Sequence, residues 1–140
     1  MAFKKMEENG ILPGPRAVLI CGNSAASHNS IRNFLKDWGY SDIEVLGCRE
    51  DFLNNTIEHV LTNPSKAELI QAEKLPPVML WSGISHKELD SILSRFNETG
   101  LARPIFATTT THNLKFTVKE LLRHLLEEQK SMREAQQQKS

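Results

Sequence analysis

The sequence predicts an α/β fold: a three-layer sandwich built on a four-stranded, mostly parallel sheet. Short apolar runs alternate with segments of helical period, the pattern of strands joined by crossover helices. At 140 residues a single core can bury enough surface without disulfides or a structural metal. No apolar run approaches the roughly 18 residues that would cross a bilayer.

Residues 1–15 are polar and end in Pro13, Gly14 and Pro15, which reads as a flexible lead into a domain that starts near Arg16. Ala17–Cys21 (AVLIC) is a continuous apolar run closed by Gly22, as expected of a strand buried on both faces. Ile31, Phe34, Leu35 and Trp38 follow at helical spacing and stop at Gly39, a natural C-terminal glycine. Ile43–Cys48 is a weaker second strand. Asp51–Leu61 carries Phe52, Leu53, Ile57, Val60 and Leu61 on one helical side, and Asn63-Pro64 ends it.

Ser65–Leu75 reads as a short extra helix, with Ser65 and Glu68 in capping-box spacing, broken by Pro76-Pro77. Val78–Trp81 is the third buried strand. Ser85 and Glu88 form the next capping box, with Ile84 and Leu89 as its hydrophobic staple, and the helix runs to Gly100. Pro104–Thr109 is the fourth strand; its leading proline suits a first position or an edge. The last helix begins at Thr117, boxed by Glu120 and stapled by Phe116 and Leu121, and Val118, Leu121, Leu122, Leu125 and Leu126 form its apolar stripe. The domain therefore spans 16–128. Residues 129–140 form a polar tail, a solvated helical extension expected to fray into disorder. Crossover connections imply right-handed parallel units. The uniformly apolar first strand and the proline of the fourth suggest the order 2-1-3-4, by analogy with flavodoxin-like domains.

Composition excludes several functions. Lys plus Arg and Asp plus Glu both number 17, so the net charge is zero, which argues against a general nucleic-acid or anionic-membrane binder. With two cysteines and no apolar stretch near Met1, a secretory framework is not expected and the predicted location is the cytoplasm. No phosphate-binding glycine loop, nucleophile elbow or zinc helix is present. The acids of a phosphoacceptor domain are replaced by Gly22-Asn23 and Ser82-Gly83. No cofactor or metal is implied.

In a parallel sheet, ligands sit outside the carboxyl ends of the strands. That rule selects the loops Cys21–Asn29, Ser82–Ser85 and Thr108–Asn113, with Asn23, Ser24, Ser82, Thr110, His112 and Asn113 as ligand-binding candidates. Such hydroxyl-rich loops lead into helices and suit a small polar or anionic ligand; they are equally what helix caps and turns require. His28, His86 and His112 fall at the same expected end, without metal-ligand spacing. Cys21 before a small-residue loop and a helix has the layout of phosphocysteine chemistry. The low-molecular-weight phosphatase pattern, however, needs an arginine where this chain has Ser27, and a buried structural cysteine accounts for Cys21.

The segment Pro77–Glu128 resembles a small bacterial family known only as a domain of unknown function, through "MLWSGISHKELDSIL" and "GLARPIFATTTTHNLKFTVKELLRHLLEE". The resemblance implies an intracellular, prokaryotic domain with no assigned activity. The expected function is thus a non-catalytic module binding a small ligand or a protein partner at the carboxyl end of its sheet, with homodimerisation as one way to cover the sheet edges. The alternative is a small phosphoryl-handling or transferase enzyme built on Cys21 and the helix start after it.

Overall fold

The structure, a computed structural model of the chain, describes residues 10–22, 25–48, 52–62 and 75–139. In chain order the elements are β1 (Ala17–Cys21), α1 (Ala25–Asp37), β2 (Glu44–Gly47), α2 (Ile57–Thr62), β3 (Val78–Ser82), α3 (His86–Ser94), β4 (Ile105–Thr108) and α4 (Val118–Lys139). Short 3-10 turns follow α3 at Phe96–Thr99 and precede α4 at Asn113–Lys115. The predicted extra helix at Ser65–Leu75 falls largely outside the described residues.

The two central strands, β1 and β3, bury both faces along their whole length, which is why their sequences read as unbroken apolar runs. Ala17, Leu19, Cys21, Leu46, Val78 and Leu80 pack against α2 and α4. On the opposite face Val18, Ile20, Val45, Met79 and Trp81 pack against α1 and α3. Three layers result, as the sequence predicts.

The strand order is β2-β1-β3-β4, also as predicted. Within it β1 pairs parallel with β2, and β3 parallel with β4. The central pair, β1 with β3, is antiparallel, with Ala17 opposite Ser82 and Cys21 opposite Val78. The expectation that every connection is a crossover is therefore corrected. Between β2 and β3 the chain passes down the sheet along α2, where Leu61 approaches the Gly14 end. It re-enters the described structure at Leu75, whose carbonyl lies against Gly22 at the other end. Entering from that end, β3 runs opposite to β1.

Of the three anticipated capping boxes two are present in full, and the third, Ser65 with Glu68, lies outside the described residues. Ser85 Oγ accepts from the Glu88 N–H at 3.0 Å and Glu88 Oε1 from the Ser85 N–H at 3.0 Å. Thr117 and Glu120 exchange the same pair at 3.1 Å each. Glu88 also receives the Arg16 guanidinium at 3.0 Å, tying the start of α3 to the entry of β1. That guanidinium, with the Ser85 N–H, holds the Glu88 carboxyl down at about 2.

Residues 10–15, which the sequence assigns to a flexible lead, are docked. The Leu12 N–H donates to Ile84 O at 2.8 Å and the His86 N–H to Gly10 O at 3.1 Å. The Leu12 side chain, only 5% exposed, joins the α1–α3 core. Pro13 O accepts two buried hydroxyls, Ser82 Oγ at 3.2 Å and Thr109 Oγ1 at 2.6 Å. An apolar residue at position 12 and a carbonyl that needs donors suffice to seat the segment. At the other terminus the tail expected to fray continues α4 as helix to Lys139.

Candidate functional site

Strand direction decides which predicted site residues can meet. Because β1 and β3 are antiparallel, their carboxyl ends lie at opposite ends of the sheet, about 14 Å apart for a five-residue strand. Cys21 and the start of α1 stand at one end. Ser82 and the Thr108–Asn113 loop share the other, since β3 and β4 run parallel. The crevice expected between the loops after β1 and β3 is therefore not formed, and His28 is separated from His86 and His112. Asn23 and Ser24 lie outside the described residues.

At the Ser82 end most polar groups already have partners. Ser82 is fully buried, its hydroxyl given to Pro13. Asn113 holds the loop together: its Oδ1 accepts from the Thr110 N–H at 2.7 Å, its N–H donates to Thr110 Oγ1 at 2.9 Å, and its Nδ2 donates to Thr108 O at 3.0 Å. It does so with ordinary backbone angles, because no non-glycine residue among those described has positive φ. The turn needs the Asn113 side chain rather than left-handed backbone tolerance. Thr110 and His112 are exposed. The His112 ring meets Phe116 edge-on at 4.9 Å, and Phe116 stacks on His124 at 5.2 Å.

At the opposite end Cys21 and Cys48 are both buried free thiols. A hydrogen bond with Cys48 and burial push the Cys21 thiol well above its ordinary value. A protonated, inaccessible thiol is a poor nucleophile. His28, in the first turn of α1, is 2% exposed, and neither ring nitrogen has a partner. Burial, then the Arg32 charge, lowers its pKa. A depressed histidine pKa contributes stability that is full above the ordinary value of 6.5 and is lost as pH falls through the lower folded value. His28→Phe is therefore expected to remove part of the acid-induced drop in melting temperature below about pH 6; an unchanged pH profile would show that His28 does not titrate with unfolding. Among the described residues no three His, Cys, Asp or Glu side chains are grouped to hold a metal.

The concave surface lies elsewhere, where α4 passes β4 and the Pro76-Pro77 turn. A hollow of about 420 Å³ is floored by Leu53, Leu75, Pro76 and Leu122. A second, of about 620 Å³, runs along Pro104, Ile105 and Phe106 beneath Leu126 and Gln129. The two share Pro76, Leu126 and Lys130 and so form one groove. Leu126 is 46% exposed in it.

Beside that groove the sheet edge is open. β4 is only partly buried along its whole length, whereas β2, the other edge, is buried from Val45 to Gly47. Ile105 and Thr109 give their N–H groups to β3, at Pro77 O and Trp81 O. By strand alternation Phe106 and Thr108 turn theirs outward. The Asn113 amide occupies the outward Thr108 carbonyl, so the free portion of the edge is centred on Phe106, beside the groove.

Residues 77–132 match the family model described as "Domain of unknown function (DUF3783)". The match agrees with the resemblance read over Pro77–Glu128 and reaches slightly further along α4. It takes in β3, α3, β4 and most of α4, and with them the open edge and the greater part of the groove wall; β1, α1, β2 and α2 lie outside it. No curated protein and no solved structure is significantly similar to the chain. No helix among the described residues is long and apolar enough to cross a membrane.

With residues 129–140 read as a solvated tail, the groove is not visible in the sequence. The available signal was the spacing of Lys119, Arg123, Leu126, Lys130 and Arg133, steps of four, three, four and three along one helix face.

Proposed function

We propose that the domain is a non-catalytic protein-interaction module that takes an extended segment of a partner on the open edge of β4. The observation that carries this reading is the contrast between the two sheet edges: β2 is buried from Val45 to Gly47, and β4 is partly exposed along its length beside a groove. An edge strand offers main-chain donors and acceptors to an incoming strand, and the adjoining groove receives its alternate side chains. A second copy, pairing β4 to β4, is the special case that gives a homodimer. Thr110 and His112, exposed at the end of β4, extend the same surface as contacts for a polar ligand or partner. The domain acts by binding within the cell, and the buried Cys21 is a core residue.

Selection from a random extended-peptide display library against the full chain tests this. Selected peptides are expected to lose at least tenfold in affinity for Thr108→Pro, which removes an outward N–H while leaving the bonds from Ile105 and Thr109 to β3 in place. They should also protect the Phe106 amide from hydrogen exchange. An empty selection, or binders indifferent to Thr108→Pro that leave Phe106 exchanging freely, would sink the reading.

A further inference from the structure

The walls of the groove are basic. Lys119, Arg123, Lys130 and Arg133 project into it from one face of α4, and Arg103 reaches it from the β4 side, its guanidinium 5.1 Å from the Phe106 ring. Ion pairs among the described residues occur elsewhere, at Arg16 with Asp42 and Glu88 and at Arg95 with Glu98. Among the described residues none of the five groove cations has a carboxylate within ion-pair distance. Glu127 is the only acid on the groove lining among the described residues. In a chain with zero net charge, five cations against one acid around an apolar floor give the described groove lining a net positive field.

Resting on the edge-binding reading above, we infer that the partner segment is acidic, with apolar residues between its carboxylates, one of them seated over Leu126. The geometry supports a short extended chain. Lys119 to Arg133 spans about 21 Å of helix, the length of six or seven residues of strand. Side chains of a strand alternate, so every second residue can face the groove while the backbone follows β4. Carboxylates then meet the cations of α4 and Arg103, and an apolar side chain covers Leu126, Pro76 and Leu75. A nucleic-acid strand fits less well. Its phosphates would answer the cations, but it would leave the leucine and proline floor uncovered, and Phe106 is already faced by Arg103 and by the edge of Phe96.

The composition of the selected peptides is the readout. Enriched sequences are expected to carry more Asp and Glu than the input library, interspersed with Leu, Ile, Val or Phe. Their affinity should fall at least tenfold for the double variant Lys130→Glu/Arg133→Glu, and should also fall as salt is raised, because the pairs are solvent-facing. Both substituted side chains are exposed on α4, so circular dichroism should show the fold intact. A pool of neutral or basic peptides that still depends on Thr108 would overturn the charge inference and leave edge binding standing. Acidic peptides that respond to the charge reversal but not to Thr108→Pro would overturn edge binding instead. Tighter binding of random single-stranded RNA than of the acidic peptides would overturn the choice of a protein partner.

Discussion

Trp81→Ala is expected to destabilise the domain by about 3–5 kcal/mol. Trp81 is 1% exposed in the central strand β3, among the largest fully buried side chains, and packs in the α1–α3 core. Its removal leaves a cavity between layers whose backbone is fixed by pairing on both sides. Urea unfolding followed by circular dichroism should show the loss, and the melting temperature should drop by roughly 10 °C or more. Trp81→Phe separates volume from polarity. The indole N–H is buried with no hydrogen-bond partner, so phenylalanine loses some packing but relieves an unsatisfied donor. Its loss should be well under half that of alanine. Equal losses for the two variants would mean that the indole N–H finds a partner in solution.

The second large effect is expected from Gly83→Ala. Gly83 follows β3 with φ of 69°, in the left-handed region, and a Cβ there would overlap the Pro15 carbonyl and the Arg16 amide nitrogen. Both neighbours are backbone, so no side chain can swing aside. The combined strain should exceed about 2 kcal/mol. It should also loosen the docked lead, seen as faster hydrogen exchange at Leu12 and His86. Gly100→Ala is the matched control. Its φ is 71°, yet nothing stands within 4 Å of the added carbon, and only the backbone preference, about 1 kcal/mol, should be lost. If Gly83→Ala costs no more than Gly100→Ala, the close approach of Pro15 to β3 is not a feature of the protein in solution.

Local features were legible because their causes are local. The boxes at Ser85–Glu88 and Thr117–Glu120 join residues three apart, and both form as read. The apolar runs of β1 and β3 announce strands buried on both faces, and the burial is complete along each. Leu12 and Pro13 show the limit. Nothing near them in sequence indicates that Ser82 and Thr109, 69 and 96 positions away, both donate to the Pro13 carbonyl. In sequence Asn113 reads equally as a site or a turn residue; its contacts make it the clasp of its loop and the cover of one edge carbonyl.

The candidate groove was hidden for a related reason. Zero net charge is a sum over the chain, and it conceals a helix face on which four cations surround one leucine. The helical period places those five residues together, but only packing puts Pro76, Arg103 and Phe106 opposite them. Without that juxtaposition the stripe is an ordinary solvated helix face.

By itself the sequence determined the alternation of strands and helices, the three layers, the caps and, through the apolar first strand and the Pro104 edge signal, the strand order. What only the tertiary structure decided was the direction of β3 relative to β1, and with it which loops share an end of the sheet. The reason is physical. A strand buried on both faces satisfies its alternation equally well read upward or downward, so direction is set by where the connecting chain returns, here at Leu75 beside Gly22.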